Sequence, residues 1–451
     1  MPGPPAVWKG TEDMTERTIT ESPAPDDSAG QRDGLPRREL AAATVGGIVE
    51  SFDWTVYVIF AAFFTADLFG SDSLGATIVA YGGFAVGFIA RPLGSLFFGR
   101  VSDSRGRRFN LLLCMSIISV ASIGIALVPP AATIGIWSAV ALVALRIVQG
   151  LAYGGEGPTI AAYVAETAPR RHRFLFSAIS YGGIMFGSML VFLTAAVLNA
   201  TIGEEALRAG GWRWAFVIGG ALGLLALLIR AYAPESSEFE GGRAAVAPRP
   251  PALTVVFREH RKALLTIFLL TLGGTVTYYY TLVYLPKFAA SAGRADTAAA
   301  TSFMTLVLIV VLVAMLVVGA CADRFGVLPV MRITFAFNAI GVLPMTFALM
   351  HGVLPFEVVA LVLGLGAAGF AAVGSVLSAL LLPVEVRAVG AGLVATVTVT
   401  VFGGTFPMVA EALQAFDLRW VIPVYVFVAA LALLAGTRTV TKVRLFTETV
   451  Q

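Results

Sequence analysis

The chain has 451 residues, of which 57% are hydrophobic and 13% are charged, whereas soluble domains average about 45–50% apolar and about 25% charged residues. Together with a mean hydropathy of +0.84, this composition excludes an ordinary soluble protein and predicts a polytopic membrane protein. The formal net charge of +3 gives no basis for a nucleic-acid partner. The two cysteines, Cys114 and Cys321, lack the spacing of a disulfide framework or a metal site.

The first segment, 1–40, is polar, is rich in Pro, Asp, Glu, Thr and Ser, and lacks an apolar core. A cleavable signal peptide needs such a core. We therefore expect a disordered cytoplasmic tail at 1–40. The last segment, 438–451, is predicted to be a second, short cytoplasmic tail.

Between these tails the chain is a series of apolar stretches, and a spanning helix needs about 20 mostly apolar residues. Twelve such stretches lie near 41–66, 75–99, 109–129, 135–166, 174–199, 212–232, 263–289, 298–321, 327–350, 354–382, 387–413 and 420–437. A polar, Pro- and Gly-bearing linker at 233–262 separates the sixth from the seventh. The sequence thus predicts an all-α integral membrane protein with one six-helix bundle at 41–232 and another at 263–437.

Basic residues select the orientation of these spans. They cluster between spans 2 and 3, between spans 4 and 5 and before span 7, at Arg100, Arg105, Arg107, Arg108, Arg170, Arg171, Arg173, Arg258, Arg261 and Lys262. The opposite loops contain only Arg208, Arg213, Lys287, Arg294 and Arg419. Because cytoplasmic loops carry the excess of Lys and Arg, we expect a multi-pass protein of the cell inner (plasma) membrane with both termini in the cytoplasm.

The two halves contain matching loops. GRVSDSRGRR begins at Gly99 and GACADRFG begins at Gly319, so that Asp103 and Asp323 occupy the same position in each half. Repeated halves of this kind indicate a central cavity near the membrane midplane. Asp103 and Asp323, with Arg107, are candidates for gating, because a carboxylate can accept hydrogen bonds from the N-terminus of a helix in the other half. The alternative is charge that only sets topology.

Charged residues within spans 1 and 4 are the main candidates for function, because an ionisable group at bilayer depth costs roughly 2.5–3.5 kcal/mol. In span 1, Glu50, Asp53 and Tyr57 share one helical face. A second polar seam runs along span 4 at Arg146, Gln149, Tyr153 and Glu156. The two seams are predicted to border the cavity.

Two further groups lie at bilayer depth. Arg91 in span 2 is a permanent cation whose planar fork fits a carboxylate; the alternatives are an arginine that reaches toward the cytoplasm or one that pairs with Glu50. In span 7, Tyr280 and Tyr284 share a face with Thr277 and Thr281. These hydroxyls are candidates for neutral contacts with a ligand, although a belt of tyrosines at the membrane interface explains some of them.

The sequence resembles the major facilitator superfamily and, within it, the metabolite:proton symporter branch. The motifs that carry the resemblance are ESFDW at 50–54, RPLG at 91–94, GRVSDSRGRR at 99–108, RIVQG at 146–150, QGLAYGGE at 149–156 and PES at 234–236. The branch pattern in span 1 is E-W-Y-D-F, so the aromatic positions here are rearranged. The resemblance implies proton-driven uptake of a small solute, since the substrates of the branch include α-ketoglutarate, citrate, shikimate and proline or betaine.

We hypothesise that Asp53 and Arg146 form the proton switch. An adjacent arginine favours the ionised form of a carboxyl group, and burial without that partner favours the neutral form. Tilting of the two halves would alternate these states. A permanent ion pair between spans 1 and 4 is the alternative, and Glu50 is the competing proton carrier. Arg91, Tyr57, Gln149, Tyr153, Glu156, Tyr280 and Tyr284 are the predicted substrate contacts.

Other functions are less consistent with the sequence. A P-loop of the form G-x-x-x-x-G-K-[ST] is absent, and His172, His260 and His351 form no catalytic cluster, so neither an ATP-driven pump nor an enzyme is expected. Uptake of a zwitterionic compatible solute, and efflux of a metabolite or drug on the same fold, remain open. We expect no cofactor and no metal, a small carboxylate and protons as partners, a lipid bilayer around the protein, and a monomer.

Overall fold

The computed structural model describes residues 37–71, 73–105, 107–154, 170–232 and 257–440, and the regular structure within these ranges is helical. The first six long helices are α1 (Arg37–Phe69), α2 (Leu74–Arg105), α3 (Arg107–Ala126), α4 (Trp137–Gly154), α5 (Arg173–Ala206) and α6 (Arg213–Tyr232). The second six are α7 (Arg261–Ser291), α8 (Thr297–Phe325), α9 (Val327–Met350), α10 (Phe356–Leu380), α11 (384–415) and α12 (Val421–Val440).

These helices confirm the predicted architecture. Ten of them are long and apolar enough to cross a membrane, and α3 and α6 contain the shorter apolar segments Leu112–Ala126 and Arg213–Leu228. Each predicted span therefore corresponds to one helix. The first helix begins at Arg37 and the last ends at Val440, each a few residues beyond the expected limits of the bundles. "Inner" below denotes the side on which α1 begins, which the sequence predicts to be cytoplasmic.

Packing divides the helices into two bundles. In the first half α1 packs on α5, α2 on α4, and α3 on α6; in the second half α7 packs on α12, α8 on α10, and α9 on both α10 and α12. The halves meet where α5 lies against α8 and where α2 lies against α11. A ligand cavity between the halves is consequently bordered by helices of both.

Glycines allow α2 and α4 to approach at backbone distance. A Cβ added at Gly150 would collide with the carbonyl oxygen of Gly87, and one added at Gly154 would collide with the carbonyl oxygen of Arg91. In a membrane, where lipid tails are as apolar as leucine, such close contact supplies much of the attraction between helices. It also fixes the position of the polar seam of α4 relative to α1 and α2.

Two helices that line the cavity contain a widened turn. A π-helical segment interrupts α7 at Tyr279–Tyr284, and another interrupts α11 at Val399–Gly404. Such segments, with i→i+5 hydrogen bonds, occur mainly at functional sites. Each begins with a residue that lines the cavity, Tyr279 and Val399 respectively.

Candidate functional site

A cavity of about 210 Å³ lies between the two halves. Residues of α1, α2 and α5 in the first half and of α7 and α11 in the second half line it. Six of the lining residues are aromatic, namely Trp54, Phe84, Phe88, Tyr181, Tyr278 and Tyr279. Small-molecule sites combine such an apolar wall with a few placed polar groups.

Arg91 and Glu50 provide charge to the wall of the cavity. Nη2 of Arg91 lies 3.3 Å from Oε1 of Glu50, and the two side chains are 19% and 36% exposed. The guanidinium carbon is 4.1 Å from the ring centroid of Trp54 and 4.5 Å from that of Phe88. The pairing with Glu50 that the sequence left open is therefore present. Both groups remain within reach of a solute.

Asp53, Arg146 and Gln149 form a second, fully buried cluster. Nε2 of Gln149 donates to both carboxylate oxygens of Asp53 at 2.9 Å, and Nη1 of Arg146 donates to Oε1 of Gln149 at 2.8 Å. The direct contact from Nη1 of Arg146 to Oδ2 of Asp53 is longer, 3.4 Å. Gln149 thus bridges the carboxylate of Asp53 and the guanidinium of Arg146, so the polar seams of α1 and α4 meet here.

The indole of Trp54 lies between the two charged pairs. Its ring centroid is 4.1 Å from the guanidinium carbon of Arg91 and 4.7 Å from that of Arg146. The ring of Tyr57 covers another side of Arg146 at 4.4 Å. Cation–π contacts stabilise a guanidinium away from water, so the rings of Trp54 and Tyr57 compensate part of the cost of burying Arg146.

Four hydroxyl groups meet on another wall of the cavity. The Oγ of Ser188 on α5 lies 2.8 Å from the hydroxyl of Ser51, 3.0 Å from that of Thr55 and 3.0 Å from that of Tyr278. We refer to these four residues as the hydroxyl cluster. It joins α1 and α5 of the first half to α7 of the second.

Aromatic rings close the space between α2 and α7 on the outer side of the cavity. Phe84 and Phe88 of α2 pack edge-on against Tyr279 of α7, and Tyr81 packs edge-on against Tyr284 nearer the outer face. Aromatic side chains that pack edge-on are uncharged. The two helices can therefore move apart at this contact without leaving ions unpaired. This arrangement is suited to a gate that opens and closes.

Asp323 makes a contact between the halves on the inner side. Its two carboxylate oxygens accept hydrogen bonds from the backbone N–H groups of Phe174 and Leu175, each at 2.9 Å. These N–H groups belong to the first turn of α5, where the helix dipole also favours a negative charge. The gating role of Asp323 remains a prediction, and this is the geometry that such a role requires.

Three of the other predicted substrate contacts, Tyr57, Gln149 and Tyr153, do not line this cavity. The hydroxyl of Tyr57 donates to the carbonyl oxygen of Ala80 at 2.7 Å, and Tyr153 stacks on Trp54 with ring centroids 5.1 Å apart. Gln149 is fully buried. None of these three is among the described residues that line the cavity, and their roles in binding stay predictions.

The tyrosines of α7 divide into two sets. Tyr280 donates to the hydroxyl of Thr346 at 2.9 Å, and Tyr284 donates to Oε1 of Glu411 at 2.8 Å, both inside the second half. Tyr278 and Tyr279 face the cavity instead. Glu156 lies outside the described residues, as do the side chains of Asp103 and Arg107, so their predicted roles in substrate binding and gating remain predictions.

Several residues of the site were missed in the sequence. Trp54 follows Asp53 directly, and its only signal in the sequence was a departure from the E-W-Y-D-F pattern of span 1. Ser188 and Tyr278 carry no charge that would mark them at bilayer depth. Glu411 in α11 is 2% exposed, and an ionisable residue within the apolar span 11 is the signal that marks it, because a charge at bilayer depth is costly.

This architecture defines the class of the protein. Two matching bundles of membrane-spanning helices enclose a cavity that contains fixed charges, and contacts between the bundles lie on both sides of it. Transporters that alternate between two membrane faces are built in this way. The protein is a multi-pass membrane transporter, not an enzyme.

Comparisons with known proteins agree. Residues 43–303 match the model of the Major Facilitator Superfamily, and the chain belongs to that superfamily. It is 30% identical to the alpha-ketoglutarate permease of Escherichia coli (strain K12) over 399 residues, which are 87% of this chain and 91% of the permease. It is 32% identical to the proline/betaine transporter of Salmonella typhimurium over 310 residues, which are 65% of this chain and 61% of that transporter.

A solved structure shows the same fold. The crystal structure of a D-xylose-proton symporter superposes with a TM-score of 0.69 and covers 88% of this chain and 96% of the symporter, at 20% sequence identity. The superfamily model and the permease confirm the family resemblance stated from the motifs, and the superposition confirms the all-α fold of twelve membrane-spanning helices.

Proposed function

We propose that the protein is a proton-coupled symporter that takes up a small carboxylate by alternating access. The observation that carries the proposal is Arg91. Among the described residues that line the cavity it is the one cation, and the rings of Trp54 and Phe88 hold its guanidinium in place. A planar guanidinium binds a carboxylate through two parallel hydrogen bonds. The name of the alpha-ketoglutarate permease supports an organic acid as the solute.

Proton coupling is proposed for the buried cluster of Asp53, Arg146 and Gln149. In this structure the carboxylate of Asp53 accepts hydrogen bonds from two nitrogen atoms, Nε2 of Gln149 and Nη1 of Arg146, and donors of this kind favour the ionised form of an acid. Movement of α4 relative to α1 would withdraw these donors, and a buried acid without them takes up a proton. Loss and recovery of that contact in each cycle would link proton movement to the tilting of the two halves.

Glu50 is the second candidate for the proton. It is paired with Arg91, so a solute carboxylate that binds Arg91 must compete with it. An anionic solute thus leaves Glu50 without its cation, and a proton on Glu50 removes the negative charge that has lost its partner. This route requires no movement of Asp53 and couples one solute to one proton at the cavity itself.

The experiment is transport by the purified protein in liposomes. An inward proton gradient should drive labelled 2-oxoglutarate (α-ketoglutarate) into the liposomes above its equilibrium concentration, and a protonophore should abolish the accumulation. Related acids such as citrate and shikimate serve as competitors. If no carboxylate accumulates or exchanges under any gradient, the proposal is wrong.

A zwitterionic solute is a second candidate, supported by a specific observation. Glu50 beside Arg91 offers an anion as well as a cation, and the surrounding rings of Trp54, Phe84 and Phe88 can bind a quaternary ammonium group by cation–π contact. Uptake of labelled betaine by the same liposomes distinguishes the two functions.

We further propose that the protein is a monomer in the cell inner membrane with both termini in the cytoplasm.

A further inference from the structure

We propose that the hydroxyl cluster of Ser51, Thr55, Ser188 and Tyr278 is a second solute-binding subsite, which donates one hydrogen bond to an oxygen of the solute other than the carboxylate that Arg91 binds. This inference rests on the proposed function, because it assumes that Arg91 binds a carboxylate. It assigns the solute to the acids that carry a further carbonyl, hydroxyl or carboxylate oxygen.

The geometry of the cluster is a star around Ser188. Its hydroxyl lies 2.8–3.0 Å from the other three, whereas the hydroxyl of Tyr278 also interacts, less closely, with those of Ser51 and Thr55. Ser51, Thr55 and Tyr278 line the cavity, whereas Ser188 is 1% exposed behind them. The cluster thus has one internal member and three members that face the solute.

A count of hydroxyl protons shows what the cluster can offer. Each hydroxyl group carries one proton and two lone pairs. The three hydrogen bonds of the star use three of the four protons, whichever way each bond points. Since Ser188 can donate only once, it accepts from at least two neighbours. The spare proton therefore resides on the third neighbour, which always lines the cavity.

Among the described residues, no backbone carbonyl accepts a hydrogen bond from Ser51, Thr55 or Tyr278. Hydroxyl groups in membrane helices commonly donate to a carbonyl of their own helix, as Thr65 does to Ala61 on α1 and Thr194 does to Leu190 on α5. Neither Ser51 nor Thr55 makes such a bond among the described residues. The spare proton therefore faces the cavity, where an oxygen of the solute can accept it.

Rotation of the hydroxyl groups lets the spare proton move among Ser51, Thr55 and Tyr278 without a change in the number of hydrogen bonds. The subsite is consequently a neutral donor of adjustable position. A binding site whose polar groups hydrogen-bond the correct ligand strongly rejects a ligand without the matching polar group, because its own groups are then left unpaired. An apolar pocket discriminates less strongly against a ligand of the wrong size. The cluster is therefore a determinant of specificity, in addition to the charge at Arg91.

The position of the subsite also links binding to closure. Ser188 belongs to α5 in the first half, and Tyr278 belongs to α7 in the second, so their hydrogen bond at 3.0 Å joins the two halves at the cavity. A solute that accepts from Tyr278 orients that hydroxyl to accept from Ser188. The hydrogen bond between the halves is thus kept when the solute binds.

The test compares two acids of five carbons that share one carboxylate. Binding of 2-oxoglutarate and of pentanoate, which lacks the oxo group and the second carboxylate, is measured at equilibrium in detergent for the wild type and for the triple variant Ser51→Ala, Thr55→Val, Tyr278→Phe. We expect the triple variant to bind 2-oxoglutarate at least about tenfold more weakly, with pentanoate binding unchanged. Each single substitution should have a smaller effect, since the spare proton moves to a remaining hydroxyl.

Matched controls are Tyr425→Phe and Thr194→Val, which remove the same groups outside the cluster. Equal binding of 2-oxoglutarate by wild type and triple variant, or equal weakening of both acids, would overturn the inference while the proposed function stands. If the wild type binds no carboxylate, the proposed function itself is wrong and the inference falls with it. A loss of fold in the triple variant is recognised by thermal unfolding, and the volume-conserving triple variant Ser51→Cys, Thr55→Val, Tyr278→Phe, whose thiol is only a weak donor, then decides with the same pair of acids.

Discussion

Arg91 and Glu50 neutralise each other in the wall of the cavity, with 3.3 Å between Nη2 and Oε1. Neither side chain is fully buried, and that of Glu50 is the more exposed of the two. A partly exposed ion pair is worth little to stability, so this pair is open to exchange of partners. An incoming carboxylate can take the place of Glu50 on Arg91, and from this exchange the first two predictions follow.

Replacement of Arg91 by lysine should raise the KM for 2-oxoglutarate by at least about tenfold, because lysine keeps the charge but loses the two-pronged hydrogen bonding. The maximal rate should fall less. Arg294→Lys is the matched control, since Arg294 lies in an outer loop where its Nε donates to the carbonyl oxygen of Met350. An unchanged KM in Arg91→Lys would remove Arg91 from the solute site.

Neutral isosteres of the two acids on α1 should separate the candidates for the proton. We expect Asp53→Asn to abolish accumulation driven by a proton gradient while exchange of labelled for unlabelled solute continues, because exchange needs no net proton movement. Glu50→Gln should retain accumulation and lower the KM, because it removes the competitor for Arg91. Both variants are measured in liposomes, by uptake driven by a proton gradient and by exchange of labelled for unlabelled solute (counterflow). The reverse pattern assigns the proton to Glu50 and contradicts the switch at Asp53.

Asp323→Asn should loosen the inner contact between the halves. The amide loses the charge that faces the first turn of α5 and keeps only one acceptor oxygen for two N–H donors. A cysteine placed at Thr275, which lines the cavity, should then react faster with a membrane-impermeant maleimide added from the inner side. Asp296→Asn is the control, because Asp296 also accepts a backbone N–H, from Ala299, but at the outer start of α8. Equal labelling rates in both variants would exclude Asp323 from the gate.

Glu411→Leu should destabilise the second half. It leaves the buried hydroxyl donor of Tyr284 without its acceptor, which costs about 1–3 kcal/mol. Glu411→Gln keeps an acceptor oxygen and should lower the thermal unfolding temperature in detergent by less. Glu357→Leu, at an exposed position of α10, should have little effect. If the leucine and glutamine variants at 411 unfold at the same temperature, the hydrogen bond from Tyr284 does not contribute to stability.

Much of the fold could be predicted from the sequence because the bilayer imposes a length on each helix. An apolar stretch of about 20 residues has few alternatives to a spanning helix, and the structure has a helix at each of the twelve positions. The seams of α1 and α4 were also visible, because Asp53, Arg146 and Gln149 break the apolar pattern at helical spacing. Their meeting required only that the two helices lie near each other.

The aromatic and hydroxyl parts of the site were not visible in the same way. Periodicity shows that Tyr280 and Tyr284 share a face of α7, but it does not show which face points to the cavity. That choice depends on how α7 packs against α2 and α12 and on the widened turn at Tyr279–Tyr284. The structure turns Tyr278 and Tyr279 toward the solute and buries the other two inside the second half.

The sequence by itself determined the number of spans, their division into two halves and the presence of charge at bilayer depth, since each follows from the free energy of transferring residues from water to hydrocarbon. The tertiary structure alone decided which charges pair, that Trp54 lies between two arginines and that Ser188 and Tyr278 meet across the halves. Those contacts join residues far apart in the chain, and their energies depend on distances of a few ångströms that no local pattern specifies.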